Sequence, residues 1–362
     1  MKQPPDSLCS SPPEGEVGSF GRPCGTELKQ PPDSLCSSPP EGEVGSVGRP
    51  GGTDLLASII VCTYNRADSL RDTLAALKAL QTQPVDDWEV IVVDNNSRDH
   101  TREVVLAAQR DWPRLRYEFE AAQGLSHARN HGIAAARGEV LLFTDDDVLP
   151  EPDWLQVTLS GLARHGADAC GGFIAPLWET PPPAWLTARF HGFLAVRTDR
   201  TDDYPIDSPA KAPYGANMVV KKSVFDRIGG FDTGRGRTGK SLASGEDSEL
   251  FERILAAGMK AVFLGHSRVH HKVEAFRCTK AYMRRWRFQT SRNLAISKGV
   301  AGDNRIFNIP MYLFPQVLRA LVRVLTGRLG QPADEAFFRE IIVAHFLGTL
   351  SGLVASRNAA NR

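Results

Sequence analysis

Asp145, Asp146 and Asp147 stand side by side, one residue (Thr144) after the apolar run EVLLF (139–143) and directly before Val148-Leu149-Pro150. Three adjacent carboxylates repel one another unless a cation or a hydrogen-bond network holds them. A hard divalent ion answers that need: Mg2+ or Mn2+ characteristically bridges a few carboxylates to substrate phosphates. The bland reading is a solvated acidic turn capping a helix near Trp154, but Asp94 on the same edge favours the metal. A second acidic pair, Glu246-Asp247, opens a helix whose buried face is Leu250, Ile254 and Leu255, behind the glycine-rich stretch that starts at Gly229. First-turn acids often only complement the helix dipole. A carboxylate behind a flexible glycine loop also suits a general base under a lid. His270 and His271, following a strand expected over KAVFLG, are candidates to complete the ion's coordination.

These groups need elements to hold them. Short apolar runs, SIIVC (58–62), EVIVV (89–93), LRYEF (115–119) and EVLLF (139–143), alternate with amphipathic stretches. One such stretch carries Leu70, Leu74, Leu77 and Leu80; another starts near Ser97 and carries Val104, Val105 and Ala108; a third runs from Ser126 to about Arg137 and stops at Gly138. Continuous β-branched runs separated by helices predict a mostly parallel sheet buried on both faces, an α/β fold of Rossmann-like type. Ligands of open α/β sheets bind outside the carboxyl ends of the strands. Three polar clusters stand at such ends: Thr63-Tyr64-Asn65-Arg66, Asp94-Asn95-Asn96-Ser97 and the aspartate triplet. Three that converge on one edge predict a site.

Composition narrows the function. The 362 residues are 42% hydrophobic and 23% charged, with a net charge of +1, which argues against a general nucleic-acid binder. Cys9, Cys24, Cys36, Cys62, Cys170 and Cys278 show no zinc or disulfide spacing, so a reducing, cytoplasmic setting is expected. No cationic region followed by an apolar run marks a signal peptide at the N-terminus. Residues 2–28 and 29–55 are nearly the same Pro/Gly/Ser-rich text, predicting a disordered leader over 1–54 or translated repeat DNA ahead of a start near Leu55. A catalytic domain is expected over 55–276 and a basic helical extension over 277–362.

The motifs SIIVCTYNR, VIVVDNNSRDHT, GLSHARNHGIAAARGEVLLFTDDDV, GANMVVKKSVFDRIGGFD and GEDSELFERILAAG, in this order, resemble the family 2 glycosyltransferases over about residues 56–290. The resemblance implies a nucleotide-diphospho-sugar transferase fold and inversion at the anomeric carbon. It implies that Thr63, Asn65, Arg66 and Asp94 hold the donor's base and ribose, with Tyr64 and Asn96 beside them and Arg129 near the phosphates. Asp145 and Asp147 would be the DxD carboxylates at ribose and metal, with Asp146 on the donor side. Gly215, Asn217 and Asp232 would line the sugar and acceptor side, and Asp247 would be the catalytic base with Glu246 its rival. The pattern departs at Thr144, where an apolar residue is usual, and at the third acid inside DxD. The Gln-x-x-Arg-Trp signature of processive synthases is absent, RRWRFQTSR (284–292) being only loosely similar, which favours transfer of one sugar.

Between Arg277 and Arg328 eleven charges are positive, and Asp303 is the lone acid. Apolar and aromatic residues interleave them, and a second apolar run, 341–355, is shorter than a membrane span. Such helices predict peripheral contact with a membrane surface, the alternative being that they pack on the catalytic domain with the arginines facing solvent. The expected partners are a nucleotide-sugar donor and a glycan or lipid-linked acceptor. Two rival functions fit the sequence less well. A sugar-phosphate nucleotidyltransferase needs a glycine-rich phosphate loop after the first strand, where this chain has CTYNRADS. A catalytically inactive sugar-binding module sits poorly with intact Asp145, Asp147 and Asp247.

Overall fold

The computed structural model describes residues 57–360 except 84, 199, 235, 238–244, 303, 307–308 and 327–330. The leader over 1–54, and residues 235 and 238–244 of the glycine-rich stretch before Glu246, lie outside the described residues. Nine strands form the main sheet: β1 (Ala57–Thr63), β2 (Trp88–Asp94), β3 (Leu115–Phe119), β4 (Val140–Asp145), β5 (Val148–Pro150), β6 (Ala169–Trp178), β7 (Tyr204–Pro205), β8 (Met218–Lys221) and β9 (Ala261–Val273). Their order is β3-β2-β1-β4-β8-β6-β9-β5, with β7 on β9. The helices that cover it are α1 (Ala67–Lys78), α2 (Thr101–Gln109), α3 (Leu125–Ala135), α4 (Trp154–Arg164), α5 (Lys222–Ile228) and α6 (Glu246–Ala256).

Every residue of β1 and β2 is buried, as a parallel sheet covered on both faces requires. One apolar cluster joins Ile59, Val61, Val90 and Val92 to α1 and α4; a second joins Ile60, Ile91 and Val93 to α3 and α6. β1 to β4 pair in parallel, whereas β8 runs antiparallel between β4 and β6. Register decides what the sheet presents. Thr63 lies opposite Asp94, and Cys62 opposite Asp145, so three strand ends finish level. β5 then folds back against β9 with Val148 opposite His271, which brings β9 alongside the aspartates.

Two boundaries differ from expectation. Helix α2 starts at Thr101 rather than near Ser97, because residues 95–98 are taken up elsewhere. Asn96 is left-handed (φ 64°), the Ser97 amide donates to Asp94 and the Ser97 hydroxyl accepts from the Asn65 amide. The strand over KAVFLG continues to Val273, so His270 and His271 lie within it, not after it.

The chain ends in α7 (Lys280–Lys298), α8 (Leu313–Thr326) and α9 (Ala333–Ala360). α7 and α9 join the body through Phe190, Leu194, Val273, Met283, Phe337 and Ile341, and Asp54–Arg362 cluster as one compact unit. A Cβ on Gly348 would come within 2.3 Å of the Phe288 carbonyl oxygen, and one on Gly352 within 2.4 Å of that of Arg292. Glycine at this four-residue spacing is what lets the α7 and α9 backbones approach. The apolar run taken as too short to span a membrane is part of a longer helix. Ala333–Ser356 is long and apolar enough by length and composition, with 39% of its most apolar window buried.

Candidate active site

The aspartate triplet is no solvated turn. Asp146 and Asp147 are buried and Asp145 half-buried. Asp146 points at neighbouring protein: its Oδ2 accepts from the Thr63 hydroxyl at 2.7 Å, its Oδ1 lies 3.4 Å from Arg66 Nε, and its carbonyl accepts from Thr73. Burial pushes its carboxyl up to about 7 against the pull of Arg66. Burial also raises Asp145, with Asp147 adding to it. Asp147 goes the other way: burial is outweighed by His271, Arg66 and Arg277, which hold it well below the usual carboxylate range.

Arg66 ties this cluster together. Its Nη2 lies 3.0 Å from Asp147 Oδ2 and 2.8 Å from Glu274 Oε1. Glu274 follows β9 and, with Arg277, was not among the site residues expected from sequence. Arg277 is 4% exposed; its Nη1 sits 3.3 Å from His271 Nε2 and 4.0 Å from Asp147 Oδ2. Counted with the basic C-terminal segment and expected at a membrane surface, Arg277 instead lies inside the site. The short turn after β9 (Ala275–Cys278) folds it inward.

The residues fit a divalent ion of the Mg2+ or Mn2+ kind. His271 Nε2 is 3.4 Å from Asp147 Oδ1, and that buried oxygen has no hydrogen-bond partner among the described residues. No three His, Cys, Asp or Glu side chains converge closely enough to hold an ion alone among the described residues. Two protein ligands completed by substrate phosphates is how such ions are commonly held.

The second half of the site centres on Arg129, carried by α3 and 3% exposed. Its Nη1 donates to Asp247 Oδ1 at 2.7 Å and lies 3.4 Å from Glu246 Oε1, while its guanidinium stacks 5.1 Å from the Phe231 ring. The Gly215 amide donates to Asp247 Oδ2 at 2.9 Å. Gly215 is glycine for a steric reason: a Cβ there would meet Arg129 Nη2 at 1.8 Å. Glu246 is 5% exposed, its Oε2 has no hydrogen-bond partner among the described residues, and burial together with Asp247 pushes its carboxyl up to about 7. The Asp247 side chain stays 17% exposed, so geometry separates two acids that sequence adjacency could not rank.

Other expected residues scatter. Asp94, buried, accepts from the Ser97 amide and from the Tyr117 hydroxyl at 2.9 Å. Tyr64, Asn65 and Asn96 are half-buried or exposed on the same rim, Asn65 accepting from the Arg98 amide. Asn95, singled out only as part of its cluster, is buried and knits the rim: its amide donates to Ala122 O and accepts from the Gly124 amide. Two residues depart from expectation. Asn217 is wholly buried, its amide occupied by Trp154, Ser267 and Phe173, so it presents nothing to a sugar. His270 faces away from His271 by strand alternation and lies 3.4 Å from Glu151 instead of near the aspartates. Asp232 is exposed and accepts from the Gly234 amide.

The arrangement offers three buried or half-buried guanidiniums among acids at the strand ends, which suits a diphosphate, and an accessible carboxylate beside them. The family model described as glycosyl transferase family 2 matches residues 58–229. A glucosyl-dolichyl phosphate glucuronosyltransferase of Haloferax volcanii is 28% identical over 224 residues, 61% of this chain and 70% of the relative. The succinoglycan biosynthesis protein ExoM of Rhizobium meliloti is 27% identical over 299 residues, 81% of this chain and 91% of the relative. A mannosyltransferase from Pyrobaculum calidifontis, solved with GDP-Man and Mn2+, shares the fold at a TM-score of 0.54 and 20% identity, covering 83% of this chain and 86% of its own. With the family's motifs lying on the strand ends and the turns that build this site, residues 58–229 form a glycosyl transferase family 2 domain.

Proposed function

We propose that the chain transfers a single sugar, with inversion and with a divalent ion, from a nucleotide-diphosphate donor to a hydroxyl of a lipid-linked or cell-surface glycan precursor. The observation that carries this is the clamp on Asp247. Arg129 and the Gly215 amide each take one lone pair of its carboxylate and fix its orientation, leaving further lone pairs for an acceptor hydroxyl. A base so placed removes the acceptor's proton as its oxygen attacks the face opposite the departing diphosphate. Asp147 and His271 would hold the ion, with Asp145 on the donor side; when bound, it would counter the charge of the diphosphate. Arg66 and Arg277 add fixed positive charge at the same edge. Asp94, Thr63 and Asn65 form the part of the rim suited to base and ribose. The acceptor class rests on relatives whose names point to dolichyl phosphate and succinoglycan.

Thermal shift with a panel of nucleotide-sugars, with and without Mn2+, tests the reading, since a bound ligand raises the melting temperature by mass action. At least one donor should stabilise the protein only with the ion present, and Asp147→Asn should remove that stabilisation. Donor binding indifferent to chelator and to Asp147→Asn would make the acidic cluster structural. Retention of the donor's anomeric configuration in the product would exclude inversion.

A further inference from the structure

The geometry points to α8 as an in-plane anchor that docks this protein on an anionic lipid bilayer, a role that extends the proposed function without depending on it. Phe314, Leu318, Leu321, Val322 and Leu325 are all exposed, Leu318 at 63% and Leu325 at 73%. Their spacing of four, three, one and three residues places them on one stripe of the helix. The side of α8 that meets the body is a different one, with Leu313 and Ala320 as its buried residues. A 14-residue helix thus has two apolar faces, one packed and one in water. Large exposed apolar patches mark interaction surfaces.

Charge selects the occupant. α8 carries Arg319 and Arg323 and no acid, and neither guanidinium is ion-paired among the described residues. Arg319 stands near the Val322 edge of the apolar stripe and Arg323 further round, both exposed, from where the long side chains of an interfacial helix reach anionic headgroups. Exposed Arg285 on α7 lies at the wall of a cleft of about 480 Å³ between α7, α8 and α9, whose apolar lining includes Phe288, Leu321, Val343 and Leu347. Leu321 belongs to both stripe and cleft, so the apolar surface is continuous. The arginines expected from sequence to face the membrane are less available: Arg284 is paired with Glu340 at 2.7 Å, and Arg287 is half-buried. A spanning role for α9 fits less well, since α7 packs along it at Gly348 and Gly352.

Vesicle co-sedimentation of the full chain tests the assignment. Wild type should bind vesicles containing phosphatidylglycerol, bind pure phosphatidylcholine weakly, lose affinity as salt rises, and be released by alkaline carbonate. Leu318→Glu with Leu325→Glu should lower the partition about tenfold or more, leaving the melting temperature and donor hydrolysis in solution unchanged because both side chains are exposed. Absence of vesicle binding, equal binding to neutral vesicles, or retention after carbonate would each overturn the assignment. So would a double variant that keeps vesicle binding but turns a dimer into a monomer, since a second copy of this chain would then cover the stripe. Loss of donor turnover with vesicle binding intact would count against the transferase mechanism and not against the anchor.

Discussion

The strand-end rim and helix α8 use the same residue type for opposite purposes. Arg129 and Arg277 are 3% and 4% exposed, and Arg66 is held by three carboxylates. Arg319 and Arg323 lie in solvent on a helix that carries an apolar stripe. In the rim each guanidinium is buried or half-buried and countered by acids that include distant parts of the chain, Asp247 lying 118 positions from Arg129. On α8 no acid is present. A buried arginine among carboxylates fixes their geometry and supplies local positive charge; an exposed one leaves its charge free for a partner. Sequence spacing does not tell the two apart, and Arg277 was counted with the wrong group for that reason. Position relative to the strand ends does.

The largest effect should follow from the residue the rim exists to orient. Asp247→Asn keeps shape and the Gly215 contact but cannot take a proton, so turnover should fall by about 10²–10⁴-fold, the range for a general base. Donor affinity should stay within a few fold. Glu246→Gln should reduce turnover less, because Glu246 is covered. Steady-state kinetics with a saturating donor decide this. Near-normal turnover of Asp247→Asn would move the base to Glu246.

A difference in stability should separate the two kinds of arginine next. Arg129→Met leaves Glu246 and Asp247 without their shared counter-charge, and breaking a buried pair typically costs about 3–5 kcal/mol. Arg323→Met, on exposed α8, should change stability by about 0.5 kcal/mol or less. Denaturant melts of the two variants beside wild type give both numbers. Equal losses would erase the contrast between rim and anchor.

The sheet was legible because its strands are unbroken apolar runs ending in polar clusters, and Thr63, Asp94 and Asp145 fall where those runs stop. Asp247 and Gly215 were reached through the family resemblance, and their contact with Arg129 is a long-range event that no local pattern announces. The far end of β9 was hidden by its composition. HSRVHHKV is polar enough to read as a loop, yet from Arg268 to Val273 it pairs with β6. Extending the strand would have put His270 and His271 on opposite faces and left one histidine for the aspartates. Asn217 carried no signal of its burial, since its three partners come from α4, β6 and β9. The reach of α9 was missed because Arg339 and Glu340 interrupt its apolar run without interrupting the helix.

The smallest effect is a pH dependence located at Glu246. Burial and the neighbouring Asp247 push this carboxyl from 4.5 up to about 7, with Arg129 opposing them. Between those two values the folded protein binds more protons at this site than the unfolded chain does. Stability then falls as pH rises through the window, by on the order of 1–3 kcal/mol, and is flat above it as far as this group is concerned. The sign is opposite to that of a salt-bridged acid with a depressed pKa, so it cannot be confused with ordinary acid denaturation. Glu246→Gln stays neutral in both states and should remove this part of the slope. Asp146, raised in the same direction, leaves a residual slope in the variant. Melting temperatures measured from about pH 5 to 8 should therefore fall more steeply for wild type than for Glu246→Gln. Parallel curves would mean that Glu246 is ionised throughout this range, with Arg129 outweighing burial, and the two acids of the site would then differ in exposure alone.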